Sequence, residues 1–279
     1  MKNPSHSVSG TYLRRTVLKA LAGSVAAACP ICAAVASESK PQHGAQTAAN
    51  PAAAHKPHWS YEGEGAPDKW GKLQADFRVC DLGMEQSPID LKDSVRAQVG
   101  QLSPNFQDIP LAVLNNGHTI QVNSAPGNYT IINGKRFDLL QFHFHHPSEH
   151  LLSGKRFDLE LHFVHRAADG QLAVLGVFIQ PGSNNATLAP IWTSMPRESG
   201  PVQQVGTAIR PSDLLPASRS YFRYQGSLTT PPCSEGVLWT VFNAPIEASR
   251  DQIQQFAQLF ANNARPAQGK HRRFLLDSL

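Results

Sequence analysis

One stretch of the sequence determines how the rest of the chain is arranged. Residues 141–165 read QFHFHHPSEHLLSGKRFDLELHFVH, with polar and apolar residues alternating at both ends. Alternation with a period of two predicts β-strands, because successive side chains of a strand point to opposite faces. Between the alternating runs lie Pro147, Ser148, Ser153 and Gly154, which predict a polar connection. The sequence therefore predicts two neighbouring strands.

The first of these strands carries its polar residues on one face. Gln141, His143 and His145 point one way, whereas Phe142 and Phe144 point the other. The alternating phenylalanines would supply the apolar core behind the strand, and the histidines would lie on the opposite face.

The second strand has the same organisation. Glu160, His162 and Val164 share one face, with Leu161 and Phe163 opposite. If the two strands are antiparallel neighbours, the three histidines converge on one point. Three neutral imidazoles with an open fourth position are the ligand set of a catalytic zinc ion rather than of a structural one.

Two polar residues are in phase with these histidines. Gln141 and Glu160 each stand two residues from a histidine, so each can accept the ring N–H that a metal leaves free. A simpler interpretation is that the histidines are ordinary surface or core residues. The coincidence of an H-x-H pair, a third in-phase histidine and two in-phase acceptors argues against it.

A different metal site is a second alternative. His143-x-His145-x3-Glu149 fits part of a cupin-like motif for iron or manganese. The glycine that follows, Gly154, comes too early for the usual cupin spacing, and no glycine precedes the first histidine at the expected offset. The zinc interpretation is therefore preferred.

The charge of the chain is concentrated at its N-terminus. The formal net charge is +4, but Lys2, Arg14, Arg15 and Lys19 precede the first acidic residue, Glu38. Removing residues 1–36 leaves 21 basic and 21 acidic side chains. A neutral mature chain gives no indication of nucleic-acid binding or of attraction to an anionic membrane surface.

Residues 1–36 have the features of an export signal. Arg14-Arg15 precede an alanine-rich, weakly apolar segment, and Ala34-Val35-Ala36 is an A-x-A cleavage site. The paired arginines resemble a twin-arginine signal, with Sec export as the alternative. An uncleaved anchor or a lipoprotein cleaved before Cys29 fits less well. We expect an exported, periplasmic protein without a stable membrane span.

The region after the signal divides into a linker and one domain. Residues 37–56 are polar and alanine-rich without apolar periodicity, which predicts a disordered linker. Residues 57–279 are long enough for one domain with a sizeable core. Cys80 and Cys233 remain in this part, and two cysteines in an exported protein predict a disulfide, with two free thiols as the alternative.

Other segments give a coarser prediction. Residues 111–122 predict a hairpin with His118 directly after an Asn-Gly turn. Residues 171–180 form a continuous apolar run that predicts a fully buried strand. A short helix is expected within 187–195 and a longer amphipathic helix over 247–262.

Eight motifs, in one order, together resemble the α-class carbonic anhydrases. They span roughly residues 58–275, and one departure is His146, where the family usually has Trp. The motifs are Gln86-Ser87-Pro88-Ile89-Asp90, Asn116-Gly117-His118, Gln141-x-His143-x-His145, Ser148-Glu149-His150, Glu160-Leu161-His162-x-Val164-His165, Leu172-Ala173-Val174-Leu175-Gly176, Tyr224-x-Gly226-Ser227-Leu228-Thr229-Thr230-Pro231-Pro232 and Asn263-x-Arg265-Pro266.

The resemblance implies a fold and an activity. The fold would be mainly β, a single domain around a large, mostly antiparallel twisted sheet with a few short peripheral helices. The activity would be that of a carbonate dehydratase, a zinc lyase that hydrates carbon dioxide reversibly to bicarbonate and a proton through a zinc-bound hydroxide. The implied disulfide is Cys80–Cys233, as in exported members.

The resemblance also implies roles for individual residues. Thr229 would accept a hydrogen bond from the zinc hydroxide and donate its own proton to Glu149. His118 would be the proton shuttle, and Thr230 would contact bicarbonate. The residues implied to form an apolar substrate wall are Val164, Val174, Leu228, Val237 and Trp239.

Two other functions are compatible with the same residues. One is a non-catalytic, zinc-containing binding module on this fold, although such relatives generally lack a zinc histidine. The other is an exported zinc store, for which His43, His55 and His58 are too sparse. The expected partners are carbon dioxide, bicarbonate and water, and the sequence does not determine the oligomeric state.

Overall fold

The computed structural model describes residues 58–278. The predicted export signal, 1–36, and the predicted linker, 37–56, lie outside these residues. Among the described residues, no helix is long and apolar enough to cross a membrane. The fold is therefore described for the predicted domain alone.

Strands account for most of the regular structure in residues 58–278. Their bounds are β1 Asp90–Leu91, β2 Val95–Ala97, β3 Leu102–Asn105, β4 Ile109–Asn115, β5 Ile120–Asn123, β6 Tyr129–Ile132, β7 Lys135–His145, β8 Leu151–Leu152, β9 Leu159–Ala167, β10 Leu172–Pro181, β11 Gln203–Ile209, β12 Tyr221–Ser227, β13 Glu235–Phe242, β14 Ile246–Ala248 and β15 Leu276–Ser278.

One large sheet contains 13 of the strands described here. Its main path runs β11-β4-β5-β7-β9-β10-β13-β12-β15-β2, with β14 beside β10 and β6 joining β3 to β7. Most neighbours are antiparallel; β10 is parallel to β13 and β14, and β15 is parallel to β2. The predicted fold class, a large and mainly antiparallel sheet with few helices, is confirmed.

The helices are short and lie around the sheet. They are α1 Trp70–Leu73, α2 Val79–Leu82, α3 Leu188–Thr193 and α4 Arg250–Ala257, with 3-10 turns at Gly63–Gly65, Ala75–Phe77 and Pro211–Leu214.

The prediction of a helix over 247–262 was too long. Residues 246–248 instead form β14 and pair with the end of β10. The helix then begins behind Ser249, whose side chain accepts the backbone N–H of Gln252 while the Gln252 side chain accepts the N–H of Ser249. This capping box satisfies two backbone N–H groups at the start of the helix that have no carbonyl acceptor within it. Pairing of residues 246–248 with β10 and capping by Ser249 thus set the start of the helix, rather than the spacing of its apolar residues.

The apolar faces of β7 and β9 form the core, as the alternation predicted. Phe142, Phe144 and Phe163 are 0% exposed. The ring of Phe144 meets Trp192 of α3 edge to face at 4.7 Å and lies 6.0 Å from Phe256 of α4. Each buried ring contributes roughly 1.5–3 kcal/mol of transfer free energy. The helices therefore hold the strands that carry the histidines.

The predicted hairpin at residues 111–122 is present as β4 and β5. Asn115 pairs with Ile120, and the turn between them is closed by Asn116. The Asn116 Oδ1 atom accepts the backbone N–H groups of His118 and Thr119, each at 3.0 Å. An asparagine that bonds to the following backbone fixes a turn without further residues. His118 is thereby held at a defined position in the turn between β4 and β5.

The predicted disulfide joins Cys80 to Cys233, with an S–S distance of 2.05 Å and a sequence separation of 153 residues. Closing a loop of this length stabilises the fold by roughly 4–5 kcal/mol in the chain-entropy model. Both cysteines are buried beside Trp70. The N-terminal helices are thus fixed to the loop that precedes β13.

His165 is a buried titratable group within the sheet. It is 0% exposed, its Nδ1 lies 2.9 Å from the carbonyl oxygen of Phe163, and its Nε2 lies 3.0 Å from the Thr130 hydroxyl. Because a carbonyl only accepts, Nδ1 carries the proton and Nε2 accepts from Thr130. Burial lowers the pKa of His165 from 6.5 to about 4.

This shift makes stability depend on pH with a defined sign. Below pH 6.5 the unfolded chain binds a proton that the folded chain excludes, so stability falls as the pH drops towards 4. We expect the difference in unfolding free energy between the parent and His165→Asn to shrink by about 2 kcal/mol from pH 7 to pH 5. Urea unfolding of both proteins, in chelator, measures it; parallel pH profiles would contradict the assignment.

Candidate metal centre

The three predicted histidines converge on one point. β7 and β9 are antiparallel neighbours, and His143 lies directly opposite His162. The ring centroids are 5.0 Å apart for His143 and His145, 5.4 Å for His143 and His162, and 4.6 Å for His145 and His162. One nitrogen of each ring lies within 4.8 Å of the others. A single cation can therefore contact all three rings.

Two of these rings are oriented by acceptors on their Nδ1 atoms. His143 Nδ1 lies 2.9 Å from Gln141 Oε1, and His145 Nδ1 lies 2.8 Å from the carbonyl oxygen of Asn263. Both acceptors are oxygens, so Nδ1 donates in each case and Nε2 keeps its lone pair. Gln141 has the contact expected of it. The contact of Asn263 was not predicted from the sequence.

The third ring is oriented by Glu160, which is completely buried. Its Oε1 accepts from His162 Nε2 at 2.9 Å and from His150 Nδ1 at 2.7 Å. Its Oε2 accepts the backbone N–H groups of Glu149 and His150 at 2.9 and 2.8 Å. A Cβ on Gly176, opposite His162, would come within 3.2 Å of Oε1, so glycine leaves room for the carboxylate.

These contacts decide the charge of Glu160. Burial alone would raise its pKa, but His150 and His162 outweigh burial and hold the pKa well below its ordinary value. An ionised Glu160 accepts the Nε2 proton of His162 and leaves Nδ1 of that ring free. His150, Glu160 and His162 also lie close enough to hold an ion, but they already saturate one another by hydrogen bonds.

The free nitrogens fit a zinc ion. His145 Nε2 is buried and has no hydrogen-bond partner in the part of the chain that the structure describes. Burial lowers the pKa of both His143 and His145, which keeps these rings neutral and able to donate a lone pair. Three imidazole nitrogens gathered at one point match the donor set of a catalytic zinc site.

Glu149 lies beside these nitrogens but lacks the expected contact with Thr229. Its Oε1 accepts the backbone N–H of Arg265 at 2.8 Å, whereas its Oε2 has no partner among residues 58–278. Oε2 faces the rings instead, 3.5 Å from His145 Nε2 and 3.8 Å from His162 Nδ1. The expected hydrogen bond from Thr229 is therefore not formed in this conformation, and a buried acceptor stays free.

Thr229 lies on a rigid loop between β12 and β13. The carbonyl oxygen of Thr230 accepts the N–H of Cys233 at 2.9 Å, and the disulfide ties Cys233 to Cys80. On the other side of the loop, Trp239 Nε1 donates to the carbonyl oxygen of Ser227 at 2.9 Å. Thr229 is 5% exposed and Thr230 is partly buried. The loop is held from both ends.

An apolar cluster lies against one of the candidate ligands. The Trp239 ring is 4.9 Å from the His162 ring and nearly perpendicular to it. All five residues predicted for the substrate wall belong to this cluster, namely Val164, Val174, Leu228, Val237 and Trp239. The structure therefore brings the predicted wall residues together beside His162.

The His118 ring is stacked with two aromatic rings, those of His58 and Trp59, which belong to the first residues that the structure describes. Its ring centroid is 3.6 Å from Trp59 and 5.0 Å from His58, and all three rings are nearly parallel. Burial, together with the charge of His58, lowers the pKa of His118 to about 4. In this stack the ring is neutral at pH 7.

Several hydrogen bonds around the site were not predicted from the sequence. The Tyr224 hydroxyl, for example, lies 2.7 Å from His150 Nε2 and 2.8 Å from Ser87 Oγ. The Arg265 guanidinium donates to the carbonyl of Cys80 and to Gln86 Oε1, each at 2.8 Å. Tyr224 and Arg265 were part of the resembling motifs, but sequence spacing does not show which distant groups they contact.

Comparisons with known proteins agree with this geometry. The family model described as eukaryotic-type carbonic anhydrase matches residues 65–275. The chain is 44% identical over 236 residues to a carbonic anhydrase of Nostoc sp., covering 82% of this chain and 89% of that protein. It is 45% identical over 221 residues to a carbonic anhydrase of Pectobacterium carotovorum, covering 78% of this chain and 90% of that protein.

A solved structure gives the same result for the fold. The α-carbonic anhydrase of Thermovibrio ammonificans, in complex with the inhibitor sulfanilamide, superposes with a TM-score of 0.77 at 44% sequence identity. The match covers 78% of this chain and 98% of that one. The cupin alternative is therefore wrong, and the chain belongs to the eukaryotic-type carbonic anhydrase family.

Proposed function

We propose that the protein is a zinc-dependent carbonic anhydrase, which hydrates carbon dioxide reversibly to bicarbonate and a proton. His143 Nε2, His145 Nε2 and His162 Nδ1 would hold the metal. The observation that carries the proposal is the buried Nε2 of His145, which has no partner within residues 58–278 and lies within 4.8 Å of nitrogens on two other rings. A buried acceptor without a donor is costly, and a cation would satisfy it.

Zinc would supply Lewis acidity, lowering the pKa of a water molecule to about 7, an effect for which carbonic anhydrase is itself the standard example. The protein's part is to leave the charge of the cation undiminished, because its three ligands are neutral. Ionised Glu160 is kept from direct contact with the ion by bonding to His162 Nε2 at 2.9 Å. It thereby orients the ring and makes it a better ligand.

Thr229 and Glu149 would orient the attacking water. Among the residues that the structure describes, Glu149 Oε2 is an acceptor without a partner. A rotation of Thr229 that lets its hydroxyl donate to Oε2 would use the only proton of that hydroxyl. The Thr229 oxygen could then only accept a hydrogen bond from the reacting oxygen. This selects one orientation of the nucleophile, with its lone pair directed at the carbon of the substrate.

The substrate would lie against the apolar cluster next to His162. Carbon dioxide has no net charge and no dipole, so an apolar wall accommodates it without the desolvation cost that a charged substrate would incur. Thr230, next to Thr229 on the same rigid loop, would contact the bicarbonate product. The partners are therefore small molecules.

His118 would pass the released proton to buffer. A ring with a pKa of about 4 is a weak acceptor at neutral pH, and this value results from burial against Trp59 and from His58. Turning out of the stack would return the pKa towards 6.5, where histidine both accepts and releases protons. The relay would thus require rotation of the His118 side chain.

Export to the periplasm is part of the proposal. The disulfide between Cys80 and Cys233 supports an oxidising compartment, since disulfides persist there. The features of residues 1–36 agree with export, by a twin-arginine or a Sec route. The alternative function is a binding module without hydration activity. Measuring zinc content together with carbon dioxide hydration distinguishes it from the proposal.

Removing the metal should abolish hydration. We expect one zinc ion per folded chain, loss of carbon dioxide hydration after dialysis against a chelator, and recovery on adding Zn²⁺. His145→Ala should weaken zinc binding by more than about 100-fold. Removing only a group that hydrogen-bonds to a metal ligand already lowers metal affinity by about 10- to 100-fold, and removing the ligand itself should cost more. His146→Ala is the matched control, since that neighbouring ring bonds to the carbonyl of Ala261 instead.

Stopped-flow hydration and elemental analysis measure both quantities. Full activity in protein without stoichiometric metal would contradict the zinc proposal. Stoichiometric zinc without any hydration activity would support the binding module instead.

Replacing Thr229 separates orientation from metal binding. Thr229→Val keeps the shape of the side chain but removes its hydroxyl, so we expect kcat/KM to fall by about 100-fold with zinc content unchanged. Thr229→Ser retains the hydroxyl and should stay within about tenfold of the parent. Equal loss in both variants would show that packing, and not the hydroxyl, is responsible.

Replacing His118 tests the proton relay. His118→Ala should lower kcat by about 10- to 100-fold in dilute buffer, with kcat/KM nearly unchanged, because only the proton-release step is slowed. High concentrations of imidazole should restore the rate. The role is refuted if the variant turns over at the parental rate in both buffers.

A further inference from the structure

A cavity of about 840 Å³ lies at the edge of the sheet, away from the candidate metal centre. It is bounded by β12, β13, β15 and residues 271–274. Leu238, which lines it, stands next to Trp239 on β13, and Trp239 packs in the apolar cluster beside His162; Tyr224 of that cluster also lines the cavity. Alternate residues of a strand point to opposite faces. Leu238 thus faces the cavity from the opposite side of the sheet to Trp239.

The cavity has an apolar wall. Leu238 and Leu276 lie along it, and Met84 and Phe274 stand at its rim, 60% and 76% exposed. Single exposed apolar side chains are common, but two at the mouth of one cavity form a surface that water solvates poorly. A volume in this range is typical of small-molecule sites.

The charges around the cavity are predominantly basic. Arg223, Arg272 and Arg273 all line it, and the only acid that does is Glu85. None of the three guanidinium groups has a carboxylate within ion-pair distance among residues 58–278. Within the described part of the protein, the positive charge is therefore not balanced by a direct ion pair.

Arg273 is fixed in place without a carboxylate. Its guanidinium donates to the carbonyl oxygens of Gln86, Gln225, Gly269 and Lys270, at 2.7–3.0 Å. Carbonyl acceptors hold the side chain but leave its full charge. A positive group is thus preorganised at the side of the cavity.

Arg223 gives the second, independent observation. The side chain is 5% exposed, its Nη1 donates to the carbonyl oxygen of Val99 at 2.8 Å, and its Nε donates to Thr240 Oγ1 at 3.2 Å. Its Nη2 has no partner in residues 58–278. Arg223 lines the cavity, and a buried guanidinium nitrogen without an acceptor is costly, so an anion that reached Nη2 from the cavity would be stabilised.

We propose that this cavity is a second binding site, which takes a small amphipathic carboxylate. The carboxylate would lie between Arg223 and Arg272, and the hydrocarbon body along Leu238, Leu276 and Phe274. The basic end selects a negative charge, and the apolar wall selects a hydrocarbon chain. The inference does not depend on the zinc chemistry, because none of the candidate metal ligands lines this cavity.

Calorimetric titration of the zinc-loaded enzyme with decanoate, and separately with decanol, tests the site. Decanoate should bind saturably and at least about tenfold more tightly than decanol, since only the carboxylate can bond to the guanidinium groups. Arg272→Glu should weaken decanoate by about tenfold or more and leave decanol unchanged. Phe274→Ser should weaken both. Both substituted residues are exposed, so the fold is retained.

Arg156→Glu is the matched control, because Arg156 is another exposed arginine that does not line the cavity. It should leave decanoate affinity unchanged, and so should saturating sulfanilamide in the catalytic cleft. The proposal is overturned if decanoate does not saturate, if decanol binds as tightly, if Arg156→Glu weakens binding as much as Arg272→Glu, or if sulfanilamide displaces decanoate.

Discussion

The antiparallel pairing of β7 and β9 is the constraint on which the rest of the site depends. It puts His143 opposite His162, so that candidate ligands separated by 19 residues of sequence converge on one point. A slip of this pairing by one residue would turn the histidines into the core and the phenylalanines into the cleft. The aromatic packing of Phe144 on Trp192 opposes such a slip, because it fixes the apolar face. Core packing and metal binding are therefore two results of one register.

Glu160 extends this constraint beyond the strands. Its two oxygens accept four hydrogen bonds, two from backbone N–H groups at Glu149 and His150 and two from imidazole rings. The same carboxylate that orients a metal ligand thus also positions the backbone of Glu149. Polar groups in a buried network depend on one another, because each loses its only partner when another moves. The site behaves as one unit.

The sequence predicts the parts of this arrangement that follow from periodicity. Alternation in residues 141–145 and 160–164 predicts both strands and both faces, and the histidine spacing predicts the ligand set. The helix at 247–262 was predicted too long, because pairing of residues 246–248 with β10 depends on distant chain.

Contacts between distant segments could not be predicted for the same reason. The stack of His118 on Trp59 and the acceptor at Asn263 join residues that no local pattern relates. The free Oε2 of Glu149 is a further example, since rotamer choice depends on neighbours from three segments. Local chemistry thus predicts elements and candidate residues, whereas their mutual contacts depend on the completed fold.

The role of residues 263–265 has a consequence for how the protein is made. The Asn263 carbonyl orients His145, and the Arg265 backbone N–H holds Glu149, although both lie in the last part of the chain. While the ribosome still holds these residues, a growing chain can pair β7 with β9 but lacks the acceptor for one imidazole. The candidate metal site would therefore reach its final form only after residues 263–265 have packed against β7 and Glu149.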